Sequence, residues 1–254
     1  MSRAPSNGWG DGRTIAALAA GGILLVAFVW IQSVRQSPLV PLGIFRRPGV
    51  ARGNAAIFLL QGSYVGWQFM STLYLQNVHG WSPVDVGLVL APGGVAVLLT
   101  AQYWARRIAH VGPWPVGSAG AALMVVGSAW TLAIGHVAPV PVFIIGTTVM
   151  GTGFTMAFVA ANISAVAGAR EQEQGLASGL FIASFQIGSG VILAVVGSVF
   201  GTHAEATTSD YRAAILTATI VATLSLVVFL LGLVRRSAGL ARPEAAPVRG
   251  DIAA

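Results

Sequence analysis

Cysteine is absent from the 254 residues, and so is lysine. The first absence excludes disulfides, thiolate metal sites and covalent haem attachment. The second excludes a retinal Schiff base, so a seven-helix photoreceptor fails on chemistry. Charge is scarce as well: 9% of the chain is charged, against about a quarter in a soluble domain, too little to cover a water-facing surface. The four histidines, at 79, 110, 136 and 203, fall in separate expected loops, so no metal site is expected. No G-x-S-x-G, H-E-x-x-H or G-x-x-x-x-G-K-[ST] occurs, and no nucleophile–base pair is visible, so an enzyme is not expected. No cofactor is expected either. Gly151-Thr-Gly153 and Gly188-Ser-Gly190 are fragments of a dinucleotide fingerprint with no strand before them, and read better as close helix packing.

What the chain has is apolar length. It is 55% hydrophobic with a mean hydropathy of +0.77, and runs of ~20 apolar residues recur, each long enough to cross a ~30 Å hydrocarbon core as a helix. Seven spans are expected: Thr14–Val34, Gly53–Leu75, Val84–Trp104, Pro113–Ile134, Pro139–Ala161, Gly175–Val199 and Arg212–Val234. The first run is too long for a signal-peptide core and no A-x-A site follows it. Three units follow from this: 1–52, a first span and an interfacial linker; 53–234, a six-helix bundle; and 235–254, a polar tail expected to be disordered. Within the linker, Ser37–Arg52 is too short and polar to span. Leu39, Leu42, Ile44 and Phe45 with Arg46, Arg47 and Arg52 suit a segment lying on the membrane surface.

All fourteen cations are arginine, and a pI near 11 in a soluble protein would suggest nucleic acid. Here the arginines sit at the ends of apolar runs, so they read as topology signals and no nucleic-acid partner is expected. Eleven of them fall on the side following the first, third, fifth and seventh spans. The positive-inside rule then places the N-terminus outside and the C-terminus in the cytoplasm of a cell (plasma) membrane protein. Asn162-Ile-Ser164 matches a glycosylation sequon but lies at the cytoplasmic end of its span.

The carboxylates are as informative by position. Seven of the eight lie in expected loops or tails, and Asp85 sits in the first turn of the third span, where a negative charge suits the helix N-terminus. None lies near a membrane midplane, where one would mark an ion or proton site. Polar stripes remain. Gln61, Tyr64 and Gln68 share one face of the second span, flanked by Trp67 and Ser71. Thr148, Thr152, Thr155 and Asn162 recur on the fifth, and Ser178, Phe185 and Ser189, with Gln186 adjacent, on the sixth. Amides are costly against lipid, so Gln61, Gln68 and Gln186 should face protein or a water-filled cavity. Interhelical hydrogen bonding is the simpler role, and threonines can bond back to their own helix. Gly62-x-x-x-Gly66, Gly175-x-x-x-Gly179 and Gly197-x-x-x-Gly201 have the spacing of close helix contacts, and Pro92-Gly93-Gly94 interrupts the third span.

Several segments together resemble a known family. Gly8-Trp-Gly, then Pro38-Leu-Val-Pro-Leu-Gly-Ile-Phe-Arg46, resemble the linker region of fourteen-helix drug:proton antiporters of the major facilitator superfamily. Tyr74-Leu-Gln76 with Gly80-Trp-Ser-Pro83 and Gly87-Leu resembles the end of that family's ninth helix and the start of its tenth. Gly175-Leu-Ala-Ser-Gly179 with Gln186-Ile-Gly188 resembles its thirteenth. The resemblance implies an all-α membrane protein of seven transmembrane helices, one linker helix plus the six-helix C-terminal bundle. It further implies proton-coupled efflux of small amphipathic solutes through a polyspecific cavity, with Gln61, Tyr64, Trp67, Gln68, Thr152, Thr155 and Gln186 as candidate lining. Two features depart from the pattern. Phe185 stands where the family carries an arginine, and the basic loop motif is reduced to Arg106-Arg107. The family's first bundle, with its acidic proton site, is expected from a separate N-terminal half-transporter or a second copy. The lipid bilayer and a small-molecule substrate are the other expected partners. The alternative expectation is a truncated, non-transporting membrane fragment or helical interaction module.

Overall fold

The computed structural model describes residues 12–34, 42–200 and 206–240. Those residues form seven α-helices: α1 (Gly12–Val34), α2 (Pro48–His79), α3 (Pro83–Val111), α4 (Pro113–Trp130), α5 (Pro139–Ala167), α6 (Gln174–Phe200) and α7 (Thr208–Leu240). Short 3₁₀ turns at Leu42–Arg46, Thr131–Ala133 and Glu171–Glu173 link them. Helices α2 to α5 each open on proline in the first turn, where the missing N–H would have no intrahelical partner anyway. At the start of α3, Ser82 and Asp85 close a capping box: Ser82 Oγ accepts from the Asp85 N–H at 3.3 Å, and the Asp85 carboxylate accepts from the Ser82 N–H at 3.2 Å. Asp85 therefore serves the helix end, as its position in the sequence suggested. Helix α2 ends on Gly80, whose φ of 67° is left-handed, letting Trp81 N–H reach back to Leu75 O.

The helices outrun the expected spans. Helix α2 begins at Pro48 rather than Gly53 and continues to His79, and α5 runs on to Ala167. Hydropathy detects only the apolar middle, whereas the backbone stays helical past it into the headgroup region because its N–H and C=O groups still need partners. Arg52 is accordingly a helical residue, its guanidinium 5.9 Å above the Trp114 ring, not part of a surface linker. Arg235 to Leu240, expected in a disordered tail, continue α7. The rest of that tail, Gly8-Trp-Gly and the linker up to residue 41 lie outside the described residues. Proline 92 sits inside a continuous α3. Five helices, α3 to α7, are long and apolar enough to cross a membrane, and α1 and α2, at 23 and 32 residues, have the length to do so.

Helices α2 and α5 pack on each other at the centre of the bundle. Helix α6 flanks α2, α3 flanks α5, and α4 and α7 pair behind them, while no element packs substantially on α1. Exchanging α2–α3–α4 with α5–α6–α7 maps each major packing pair onto another, so the bundle is built from two related halves. The register is visible at the crossings. A Cβ on Gly62 would lie 2.6 Å from Gly188 O, and one on Gly188 would strike the Phe58 carbonyl. In the other half, a Cβ on Gly151 would strike Gly93 O, and one on Gly93 would lie 2.6 Å from Thr147 O. Gly62 thus corresponds to Gly151, Gly188 to Gly93 and Phe58 to Thr147. Only glycine permits backbones this close. Gly62 and Gly66 do mediate the expected contact, with α6. Gly175, Gly179 and Gly197 have open space where a Cβ would stand, so these three glycines make no close contact within the described bundle, and Gly201 lies outside the described residues.

One end of the bundle is tied by Arg47, which pairs with Glu173 at 2.5 Å, and by a small cluster of Ile44, Val50 and Ala177. Ile44, expected at the membrane surface, is buried there. At the opposite end Arg212 of α7 donates from Nε to Ile134 O at 3.0 Å and from Nη2 to the same oxygen, pinning the turn in which Gly135 adopts a φ of 80°.

Candidate functional site

The polar stripe of α2 divides in the structure. Gln61 is 8% exposed, and its Oε1 has no hydrogen-bond partner, an arrangement that costs about 1–3 kcal/mol unless something else supplies a donor. Tyr64 is half-buried, its ring 4.9 Å from Phe154 of α5 and 6.2 Å from Trp67. Trp67 itself is fully buried on the side of α4 and α7. Its Nε1 donates to Thr131 Oγ1 at 2.8 Å, Thr131 Oγ1 donates to Ser128 O at 2.6 Å, and Ser128 Oγ lies 2.6 Å from Thr219 Oγ1. Trp67 is therefore an internal strut linking α2 to the helices behind it. Gln68 is exposed.

A cavity of about 440 Å³ opens between α2 and α3. Tyr64, Gln68, Thr72 and Gln76 line it from α2, one turn apart. Thr72 Oγ1 is committed to Gln68 O at 2.9 Å, but among the described residues the side chains of Gln68 and Gln76 have no hydrogen-bond partner. The opposite wall is apolar and small: Val86 and Leu90, with Gly87, Ala91 and Gly94 between them. A Cβ on Gly87 or Gly94 would meet nothing within 4 Å. That open space is why α2 and α3, although joined by a short loop, scarcely touch. Gln76 and Thr72 were absent from the sequence-derived set, although their spacing from Gln68 and Tyr64 extends the stripe by two turns.

The related cleft between α5 and α6 is filled. Phe158 stacks on Phe154 at 5.7 Å and meets Phe181 at 5.6 Å and Phe185 at 5.9 Å edge to face. With Tyr64 and Trp67 these rings form an unbroken aromatic series from α2 to α6. Phe185 is thus a packing residue. The paired spacings Phe154/Phe158 and Phe181/Phe185 were the available signal.

The remaining candidates have local explanations. Thr148, Thr152 and Thr155 donate to the carbonyls of Ile144, Thr148 and Gly151, and Ser178 and Ser189 do the same on α6. Each hydroxyl donates to a carbonyl of its own helix, and neither Thr152 nor Thr155 lines the α2–α3 cavity. Gln186 is exposed beside Ile182 and Ile187, both 54% exposed, and lies outside the α2–α3 cavity. Among the described residues no cluster of three or more His, Asp or Glu could hold a metal. Asp85 and Asp210 stand in first turns and Glu171 and Glu173 in a loop-side 3₁₀ turn, so among the described residues the cavity offers two amides and the phenol ring of Tyr64, without formal charge.

The chain's similarities agree with this architecture. The profile of the Major Facilitator Superfamily matches residues 8–192. The tetracenomycin C resistance and export protein of Streptomyces glaucescens is 37% identical over 113 residues, 44% of this chain and 21% of that protein. The lincomycin resistance protein LmrB of Listeria innocua is 34% identical over 113 residues, again 44% of this chain and 24% of its own length. The multidrug resistance protein Stp of Mycobacterium tuberculosis is 27% identical over 203 residues, 80% of this chain and 38% of that protein. The matched stretch is thus well under half the length of each of these curated relatives.

Proposed function

The chain belongs to the major facilitator superfamily, a family of membrane transporters, and we propose that it serves proton-coupled efflux of small amphipathic solutes from the cell membrane. In this reading α2–α7 form one of the two bundles that enclose the solute path, the N-terminus lies outside and the C-terminus in the cytoplasm. The other bundle comes from additional chain, an N-terminal half-transporter or a second copy. The observation that carries the proposal is the α2–α3 cavity, in which the unpartnered amides of Gln68 and Gln76 stand opposite an apolar wall. Such a surface accommodates ring systems by contact and varied polar groups by adaptable hydrogen bonds. The relatives named for tetracenomycin C, lincomycin and multidrug resistance support that solute class. Proton coupling requires an ionisable group in the path, and no described residue of this cavity carries one, so it is assigned to the other bundle.

The test compares a strain lacking the gene with strains restored with wild type or Gln68→Leu from the native locus. Energy-dependent extrusion of an amphipathic aromatic dye should fall in the deletion strain and in the variant, at unchanged membrane abundance. Equal extrusion in all three would remove the proposal. A second reading, a helical interaction module without transport, is favoured by one observation: among the described residues the carboxylates of α3 and α7 stand in first turns and none lies in the middle of a span. Immunoblotting the native product bears on it. A band near 26 kDa makes a partner necessary, and one near twice that places both bundles in one polypeptide.

A further inference from the structure

The internal relation between the two halves of the bundle makes a comparison that neither half makes alone. Gly93 of α3 corresponds to Gly188 of α6, each pressed against a central helix. Counting back from those glycines, Val86 corresponds to Phe181 and Leu90 to Phe185. On the central helices, Gly62 corresponds to Gly151, which places Phe69 in register with Phe158. The two clefts therefore share a backbone design and differ in side-chain volume. In the α5–α6 cleft three rings interlock, with Phe158 5.6 Å from Phe181 and 5.9 Å from Phe185. In the α2–α3 cleft the register partners of Phe181 and Phe185 are aliphatic, Phe69 is left 45% exposed, and about 440 Å³ stays open.

We propose that Val86 and Leu90 set the size of solute the α2–α3 cleft admits, and that the cleft is open because these two positions lack the rings that plug its counterpart. The inference rests on the transport reading for its biological meaning, but the width of the cleft is a property of this chain and is measurable without transport. Leu90 is the more direct determinant. It lines the cavity and is only partly buried, whereas Val86 is 3% exposed and belongs to the core. A phenylalanine at 90 has a precedent within the same molecule, since Phe185 occupies the matching site beside Phe158. It would place a ring where the cavity wall now carries an aliphatic side chain, opposite Tyr64, Gln68, Thr72 and Gln76. The polar stripe would keep its hydrogen-bonding groups, so the expected change is in the size of what enters and not in its polarity.

The absence of cysteine makes the test clean. With any cysteine in additional chain replaced by serine beforehand, Gln68→Cys places the only thiol of these 254 residues in the cavity wall. Its labelling rates by N-ethylmaleimide and by N-(1-pyrenyl)maleimide, in native membranes, report entry of a small and a bulky reagent with the same reactive group. Adding Leu90→Phe should lower the pyrenyl-to-ethyl rate ratio at least tenfold. Adding Leu90→Ala should raise it, which keeps the test decisive if the phenylalanine variant fails to accumulate. An unchanged ratio in the alanine variant, or in both, overturns the proposal. Because the readout is a rate ratio on the folded chain, it stands even if the deletion strain extrudes dye normally. Loss of transport and loss of the size filter are thus separately visible.

Discussion

Replacing Gly151 by valine tests the architecture that creates the site. A Cβ at 151 would strike the Gly93 carbonyl oxygen and lie 2.9 Å from its carbon and 3.0 Å from its Cα, all backbone atoms of α3. Ordinary contact begins near 3.4 Å, so α3 and α5 must separate by about an ångström along their seam to clear the Gly93 oxygen, and no flexible side chain can yield instead. Overpacking of this kind costs about 1–3 kcal/mol. For a chain of this size, that corresponds to a fall of roughly 2–12 °C in melting midpoint. The assay is the midpoint in detergent, read as the fraction of tagged protein surviving size-exclusion after heating. Gly179→Val is the control, because a Cβ at 179 meets nothing within 4 Å. The reasoning predicts a large loss at 151 and a change smaller than about 0.5 kcal/mol at 179, as for surface substitutions away from special features. Equal midpoints for the two variants would refute the claim that the α3–α5 crossing depends on backbone contact.

Trp67→Phe should cost about 1–2 kcal/mol, since it removes the hydrogen bond to Thr131 and leaves that buried hydroxyl one donor short; the same thermal assay measures it, and a neutral result would remove Trp67 from the role of strut. Ser82→Ala should lose about 1 kcal/mol through the N-cap of α3, with hydrogen exchange rising in the first turn of that helix before anywhere else in it. Arg47→Gln should cost less than about 1 kcal/mol because both partners of the Glu173 pair are about a quarter accessible, at 24% and 26%, and the difference from wild type should shrink in high salt. A loss several times larger, insensitive to salt, would mean that the pair is screened far less than its exposure implies.

Apolar run length and charge scarcity settle from sequence alone that this is a helical membrane protein, because a bilayer tolerates only backbones whose hydrogen bonds are closed within the segment. Three helix starts were legible too, since Pro83, Pro113 and Pro139 mark them chemically. The start of α2 and the end of α7 were not. Arg52 and Arg235 are polar enough to read as linker and tail, yet the helix runs through both, as propagation adds one bond per residue whatever the side chain's polarity. The polar face of α2 could be read from spacing, but not which of its members reach open space. Gln61, Trp67 and Gln68 share one short segment and come to lie in three environments, because α5 and α6, α4 and α7, and the empty cleft each cover a different arc of the helix. Nor could spacing reveal that Gly93 and Gly188 occupy related positions. That follows only when the two halves pack, and it is the comparison they permit that shows one cleft occupied by phenylalanine rings and the other open. Sequence carries the periodicity of each helix; which face meets a neighbour depends on contacts between residues far apart in the chain, and those exist only in the folded bundle.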